Sequence, residues 1–389
     1  MRIPKFVRLL FVFPLAAASV LVGSTLGPGL PCGPFTDLGG TDPFCPFVLQ
    51  IFTLGITTGV TATTYDPNAN VTRLQMAAFL SRTVDRTLQR SSRKAAVVKY
   101  WRPQNSLVLG LTTVGLNPVS AHFDGADVWV ANEISDTVSR VRASDGKLLE
   151  TWTGAIVASG IESAMGRIII TGGTAPGRLY QIDPTQPPGV VTTVVSTLPG
   201  NPTGIAFDGG RFWTTSFDGH VVMVTPGAIP WSFSTVTTGF TSPRAAIFDG
   251  TNVWVTDVIS GPGKLHKLAA FGAILQTVTV DNGPSAAVFD GTNIWVTNQN
   301  TGTVSVVRAS NGAVLTTLTG FTHPAGAGFD GERILVTDLG NDIVSLWKAA
   351  DLTSLGFVSA GGGNGPRGVC SDGANFWITL SSVDKLARF

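Results

Sequence analysis

The sequence predicts a mainly β protein, a seven-bladed β-propeller of four-stranded blades that is preceded by a small α-helical module. The propeller is predicted by a line of sequence that recurs every 40 to 43 residues. A period in the low forties is the length of one four-stranded blade. The pair Asp-Gly marks six copies, and Met165-Gly166 marks a degenerate seventh. The Asp-Gly pairs begin at Asp124, Asp208, Asp249, Asp290, Asp330 and Asp372.

Each copy predicts four strands in a fixed order. A run of small residues such as Ser285–Phe289 suits the innermost strand, where the blades converge. Asp-Gly then predicts a tight hairpin. Ile294–Thr297 and Thr303–Val307 predict the second and third strands, and Ala313–Thr319 predicts the outer one. Proline opens the next inner strand, where no ladder N–H is lost. These prolines are Pro118, Pro202, Pro243, Pro284, Pro324 and Pro366.

Tryptophan occupies one second-strand position in five copies, and Ile169 and Leu335 take that place in the other two. We predict that these large side chains fill the space between neighbouring blades. A stacking row for sugars or bases would instead need the rings on an open face. The tryptophans are Trp129, Trp213, Trp254, Trp295 and Trp377.

The end of the sequence predicts how the ring closes. The last copy stops at Phe389 after its third strand, and residues 106–114 have the pattern of an outer strand without a blade. We predict that this segment pairs with Lys385–Phe389, which removes the free sheet edges and joins the two ends of the domain.

Ile294–Asn298 followed by Thr303–Val307 resembles the repeats of the YVTN family of β-propellers. The likeness recurs at Val128–Asn132 with Thr137–Ser139 and covers residues 97–389. The resemblance implies the fold, but propellers host many different functions.

The N-terminus predicts export. Three positive charges precede an uncharged, mostly apolar run from Leu9 to Gly23, which is typical of a secretory signal peptide over residues 1–24. The run is short for a membrane span, so no transmembrane segment is expected after signal removal; an uncleaved anchor is the alternative. The predicted location is the cell surface, the envelope or the periplasm. Cys32 and Cys45 are a candidate disulfide there, with two free thiols as the alternative.

Residues 35–87 follow a helical pattern. Asp42-Pro43 predicts a helix start, and apolar residues at helical spacing follow it from Phe47 to Leu54. Thr72 and Gln75 form a capping box that predicts a second helix. Residues 88–96 are polar and basic, and we interpret them as a linker.

The motifs Phe35–Asp37, Leu54–Gly59, Tyr65–Pro67 and Val71–Ala77 resemble, in order, those of an S-layer homology (SLH) repeat. Such modules hold exported proteins to cell-wall polymers, often pyruvylated polysaccharides.

The resemblance implies that Arg73 pairs with a ligand carboxylate, for which an arginine fork has suitable geometry. Gln75 stands where the family usually has Glu. From its position alone, Arg73 is equally well explained as a solvated residue of a first helical turn. The residues implied in wall-polymer binding are Asp37, Thr72, Arg73 and Gln75.

Composition and motifs give little sign of chemistry. The net charge of +1 argues against nucleic acid as the main partner. None of the four histidines has the spacing of a metal-ligand pair, and neither a nucleophile elbow nor a phosphate loop is present. We therefore assign no catalytic residue and no cofactor. His122 and Cys370 are interpreted as tolerated inner-strand residues.

Topology places any small-ligand site of a propeller at one face. Loops from outer to inner strands and from second to third strands emerge there, around the mouth of the central channel. Polar and charged residues in these loops suit a metal of unspecified identity or a polar ligand, and a solvated loop surface is the alternative. The rim candidates are Glu133, Asp136, His220, Arg244, Asp257, Asn298, His323, Asp338 and Arg367.

The sequence thus predicts an exported cell-envelope protein. The SLH-like module would associate with cell-wall polymer, and the propeller would act as a non-enzymatic binding or scaffold domain. The predicted partner of the protein is cell-wall polysaccharide or an envelope protein. The alternative is a propeller enzyme, such as a lyase or lactonase, with a metal-dependent site at the channel mouth.

Overall fold

A computed structural model describes residues 31–39, 42–53, 57, 59–73, 75–80, 83, 110–236 and 238–389. The predicted signal peptide (1–24) and linker (88–96) lie outside these residues. The chain divides into two compact units between Ala95 and Ala96.

The first unit contains a short β-hairpin, in which Pro31–Cys32 pairs with Phe35–Gly39. A helix follows at Cys45–Thr53, and residues 73, 75–80 and 83 are also helical. The hairpin was not predicted, because its strands are too short to show a period of two.

A small apolar core and one covalent link hold this unit. Cys32 and Cys45 form a disulfide, and both side chains are buried together with Phe35, Leu38 and Val48. Because so short a chain buries little apolar area, such a cross-link is a typical means of stabilisation.

The second unit is a ring of seven four-stranded sheets, which confirms the predicted fold. We number the blades from Pro118. The inner strands are Pro118–Phe123, Ala158–Ala164, Pro202–Phe207, Pro243–Phe248, Pro284–Phe289, Pro324–Phe329 and Pro366–Ser371. The second strands are Asp127–Asn132, Arg167–Gly172, Phe212–Ser216, Val253–Asp257, Asn293–Asn298, Arg333–Asp338 and Phe376–Leu380.

The third strands are Thr137–Arg142, Gly177–Ile182, His220–Thr225, Lys264–Leu268, Thr303–Arg308, Ile343–Lys348 and Lys385–Arg388. The outer strands are Leu148–Thr153, Thr192–Leu198, Ser232–Val236, Ile274–Thr279, Val314–Leu318, Ser354–Ser359 and, for blade 7, Leu111–Thr113. In blade 7, Leu111 pairs with Ala387 and Thr113 with Lys385, so the predicted closure is confirmed.

The tryptophans are buried between blades, as predicted. All five are fully buried, and Ile169 and Leu335 occupy the equivalent sites with no exposure. Trp129, for example, packs in one cluster with Ile161, Ile168 and Ile170 of blade 2. Apolar contact between neighbouring sheets therefore holds the ring together.

The aspartate of each Asp-Gly hairpin has a second role, which the sequence did not predict. In blade 5 the Oδ1 atom of Asp290 accepts the backbone N–H groups of Thr292 and Asn293, as turn geometry requires. Its Oδ2 atom accepts the indole Nε1–H of Trp295 at 2.8 Å. The same bond joins aspartate and tryptophan in blades 1, 3, 4 and 7. A buried indole needs such a partner, so the two residues act as one unit.

The two blades without tryptophan differ at the aspartate position. In blade 2 the strand register places Ala164, rather than Met165, at the aspartate position, opposite Arg167. This blade has lost both members of the pair, since Ile169 replaces tryptophan. In blade 6 the carboxylate of Asp330 instead accepts Nε and Nη2 of Arg333 at 2.8 Å.

Candidate functional site

The inner strands of all seven blades surround a cavity of about 320 Å³ at one mouth of the central channel. Strand pairing defines this end, which we call the rim. Pro118 lies opposite Asn132, Asn132 opposite Thr137, and Thr137 opposite Thr153. Inner strands begin, and second strands end, at the rim.

Small residues at one inner-strand position form the cavity wall. A Cβ atom on Gly204 would meet the backbone oxygen of Arg244, and one on Gly368 would lie 2.6 Å from the oxygen of Val119. Neighbouring inner strands therefore approach so closely that a larger side chain does not fit. The residues at this position are Ser120, Gly160, Gly204, Ala245, Ala286, Gly326 and Gly368.

Threonine hydroxyls of the second strands bind the inner strand of the next blade. Thr215 donates its Oγ1–H to the backbone oxygen of Arg244 at 2.6 Å, and Thr337 donates to that of Arg367 at 2.7 Å. These bonds fix the backbone of both arginines on rigid strands.

Arg244 stands in the cavity wall without a charged partner. Its guanidinium lies over the ring of Phe217, with 3.9 Å from Cζ to the ring centroid. Its Nε atom is shielded from solvent and makes no hydrogen bond to any described residue. Because burial removes water without supplying an anion, it lowers the pKa of this guanidinium below its usual value.

Arg367 occupies the equivalent position in blade 7 and also lines the cavity. Its side chain is partly buried. Within the described ranges, no carboxylate forms an ion pair with Arg244 or Arg367.

Two rim carboxylates accept hydrogen bonds from backbone N–H groups. Asp338 is fully buried and accepts the N–H groups of Thr322 and His323, both at 2.8 Å. Asp257, 1% exposed, likewise accepts those of Thr241 and Ser242. Each carboxylate ties the entry of an inner strand to the end of a second strand.

Three further rim candidates also have hydrogen-bond partners among the loops and neighbouring strands. Asp136 accepts the N–H of Val157 at 2.8 Å, and Glu133 accepts the amide of Asn117 at 2.7 Å. Asn298 is buried and donates to the hydroxyl of Ser305 at 2.9 Å.

The rim histidines differ from each other. His220 lies 3.1 Å from Asp218, measured from Nδ1 to Oδ1. His323 is exposed, and only its backbone bonds to Asp338. Across the part of the chain that the structure describes, no group of three or more His, Cys, Asp or Glu side chains is arranged to hold a metal ion.

An unpredicted pair of titratable groups lies deeper, on the inner strands of blades 1 and 2. The Nε2 atom of His122 is 3.4 Å from Oε1 of Glu162 and 2.8 Å from Oγ of Ser163. Burial lowers the pKa of His122 to about 4, against the attraction of Asp124, and raises that of Glu162 to about 7. Cys370, at the same inner-strand position in blade 7, is also partly buried, which raises the pKa of its thiol.

In the first unit, three of the four implied wall-binding residues have local partners. Thr72 and Gln75 bind each other reciprocally, with 2.8 Å from Thr72 N to Gln75 Oε1 and 3.2 Å from Gln75 N to Thr72 Oγ1. The carboxylate of Asp37 accepts the N–H groups of Tyr65 and Asp66, which hold its pKa below the usual value.

Arg73 is the exception. It is exposed in the first turn of the capped helix, and no described side chain pairs with its guanidinium.

Comparison with known families identifies this unit. Residues 34–77 match the model of the S-layer homology domain. These residues form an SLH domain. An SLH domain is a cell-surface anchoring module, and members of this family bind cell-wall polymers. In the described ranges no helix has the length and apolar character of a membrane span.

Solved structures resemble the propeller in fold alone. A streptogramin B lyase structure is 14% identical with a TM-score of 0.60 and covers 72% of this chain and 96% of its own. A hydrazine synthase of Kuenenia stuttgartiensis is 15% identical with a TM-score of 0.59, covering 72% and 97%. The Cps50 (Swd1) propeller domain of Myceliophteria thermophila is 10% identical with a TM-score of 0.59, covering 72% and 99%. No curated protein is significantly similar in sequence.

Sequence reasoning placed Arg244 and Arg367 near the channel but missed the residues around them. Phe217 follows a second strand by one residue and carries no motif. Thr203 and Glu162 lie on inner strands, where the repeat indicates only small or apolar residues. Aligning the residue after each opening proline would have grouped Thr203 with both arginines.

Proposed function

We propose that this chain is an exported protein whose SLH domain attaches it to a cell-wall polymer and whose propeller is a non-enzymatic binding domain. The match of residues 34–77 to the SLH model carries the first part. The disulfide between Cys32 and Cys45 supports export, because such bonds persist in oxidising compartments.

Arg73 is the residue that we propose to contact the wall polymer. It is exposed and without a described partner, and it stands at the N-terminus of a helix, where anionic groups are favoured. A guanidinium fork binds a carboxylate with two parallel hydrogen bonds, and pyruvylated sugars carry that group. Asp37, Thr72 and Gln75 are proposed to position Arg73 through the loop and helix contacts described above.

The propeller is proposed to bind rather than to catalyse. Asp257 and Asp338, which chemistry at the mouth would need as free acids or ligands, are saturated by backbone N–H groups. The open cavity and its unpaired arginines support a binding role.

Co-sedimentation with purified cell wall tests the attachment. The full chain is expected to pellet with wall material, and Arg73→Ala is expected to weaken retention about tenfold or more, since a charged hydrogen-bonded pair is lost. Arg308→Ala, an exposed arginine of the propeller, is the matched control and should pellet like the wild type.

Two results would contradict the proposal. One is a full chain that no wall fraction retains; the other is equal retention of Arg73→Ala and wild type. Fractionation of cells, followed by salt and chelator washes, shows in addition whether charge or a metal keeps the protein at the envelope. Mass spectrometry of the mature protein tests removal of residues 1–24.

A further inference from the structure

The channel wall has a charge pattern that the rim lacks. Arg244 and Arg367 are the only charged residues among the described residues that line the cavity. Both follow the opening proline of an inner strand, in blades 4 and 7 of the ring. They therefore reach the same level of the channel from well-separated blades.

Several other buried or partly buried arginines pair with a carboxylate, whereas Arg178, whose Nε also makes no hydrogen bond to a described residue, does not. Arg140 lies 2.7 Å from Asp127, and Arg333 lies 2.8 Å from Asp330. Those pairs neutralise the charge, whereas the two channel arginines have no described carboxylate nearby. Partial burial of an unpaired cation costs free energy, and two such cations at one cavity favour a site whose ligand supplies the anion.

Two buried polar atoms in the cavity wall lack a hydrogen-bond partner among described residues. They are Nε of Arg244 and Oγ1 of Thr203, which line the same cavity from adjacent blades. Buried polar groups are normally paired, so these two atoms can hydrogen-bond to a polar ligand in the cavity.

Contacts with neighbouring residues fix the position of Arg244. Phe217 stacks on the guanidinium of Arg244, and Thr215 fixes its backbone oxygen. Stacking on the face leaves the edge of the guanidinium, which carries its N–H donors, to an acceptor. Ser120, Ser159 and Gln299 add polar side chains to the lining.

We propose that the channel mouth binds a small oxyanion, that is, a phosphate, sulfate or carboxylate group of a small molecule, through Arg244 and Arg367 with Thr203 as an additional hydrogen-bonding group. A cavity of about 320 Å³ accommodates a small ligand. This inference rests on the binding role proposed for the propeller and names its ligand class. Wall retention through Arg73 is measured separately, so the two proposals can fail independently.

Isothermal titration of the full chain tests the site with three probes: inorganic phosphate, sulfate and succinate. At least one is expected to bind, and the preferred probe distinguishes tetrahedral anions from carboxylates. Arg244→Gln and Arg367→Gln are each expected to weaken binding about ten- to a hundredfold, because each removes charge-assisted hydrogen bonds. Arg244→Lys keeps the charge but loses the fork, so it should weaken binding less than Arg244→Gln.

Arg308→Gln is the matched control, since it removes the same charge from an exposed site outside the cavity, and it should leave binding unchanged. Circular dichroism establishes that each variant is folded. If Arg244→Gln does not fold, Arg367→Gln carries the test from another blade. The proposal is overturned if none of the three probes binds the wild type, or if the bound probe binds the folded Arg244 and Arg367 variants as tightly as the control.

Discussion

The rim loops and the channel wall below them both carry charged residues, but the fold treats the two sets differently. At the rim, Asp257 and Asp338 are buried and each accepts hydrogen bonds from at least two backbone N–H groups. In the wall, Arg244 and Arg367 line an open cavity and have no ion-pair partner in the described structure. The carboxylates stabilise the loops, whereas the arginines remain available to a ligand.

This difference teaches that a charged residue beside a propeller channel can bind a ligand only if loop groups do not already form hydrogen bonds with it. Loop backbone at a blade junction has N–H groups that no strand satisfies, and a nearby carboxylate is their natural acceptor. An arginine has only donors and cannot accept them. The loop N–H groups are therefore satisfied by carboxylates and leave the arginine donors without a loop partner of this kind.

The largest expected effect is at the rim. Asp338→Ala removes the acceptor of three backbone N–H groups, those of Thr322, His323 and Gly340, at a site with no exposure. We expect the free energy of unfolding to fall by about 4 kcal/mol, because each unsatisfied buried donor costs roughly 1–3 kcal/mol. Urea unfolding measures this change.

Asp218→Ala is the control for Asp338→Ala, since its half-exposed carboxylate bonds to side chains of the same rim. It should cost less than about 1 kcal/mol. Equal losses for the two variants would remove the distinction between buried carboxylates that accept backbone N–H groups and half-exposed ones that contact side chains.

The next effect concerns the inner-strand pair His122 and Glu162, whose single variants should show opposite pH dependences of stability. Glu162→Gln leaves His122, whose folded-state pKa of about 4 lies below its usual 6.5. The unfolded chain then binds the extra proton, so stability should rise with pH between those values. His122→Gln leaves Glu162, whose folded-state pKa of about 7 lies above its usual 4.5. The folded chain binds the extra proton there, so stability should fall as pH rises from 4.5 to 7.

Across its pH range, the free energy of unfolding of each single variant should change by about 2–3 kcal/mol. In the wild type the two changes should nearly offset each other between pH 4.5 and 6.5. Urea unfolding across this range measures them, and the double variant is the control that should show neither slope. Slopes of the same sign in the two single variants would contradict the burial of this pair.

The smallest effect returns to the arginines. Arg244→Gln should raise the free energy of unfolding slightly, by less than about 1 kcal/mol, because it removes a desolvated charge without a described partner. Urea unfolding without added anion measures this. A loss of several kcal/mol, like that expected for Asp338→Ala, would mean that Arg244 stabilises the fold. The channel wall would then not differ from the rim.

Much of the fold was predictable from the repeat. The period fixes the number of blades, and the prolines mark the first residues of six inner strands, from Pro118 to Pro366. The closure was predictable because the last copy lacks an outer strand. The structure narrows that predicted strand to Leu111–Thr113 among the described residues.

The candidate site was predictable only in part. Topology predicted Arg244 and Arg367 near the channel mouth, and both line the cavity, but it grouped them with acids whose carboxylates accept loop N–H groups. The bond between Asp290 and Trp295 could have been inferred, because the same five-residue spacing recurs in five blades. Glu162 could not, since its only special feature is a neighbour in another blade.

In the SLH domain, the sequence identified Thr72 and Gln75 as a capping box, and the structure contains both of its hydrogen bonds. The role of Asp37 as acceptor for Tyr65 and Asp66 was not predictable, because these residues lie 28 and 29 positions away.

The sequence by itself determined the number of blades, the order of their strands and the burial of their tryptophans, because these follow from local period and side-chain size. Only the tertiary structure decided which charged groups are satisfied, because partners such as Asp338 and His323, or Arg244 and Phe217, meet across loops and blades. Whether a polar group finds a partner depends on three-dimensional contacts, which local period and side-chain size do not specify.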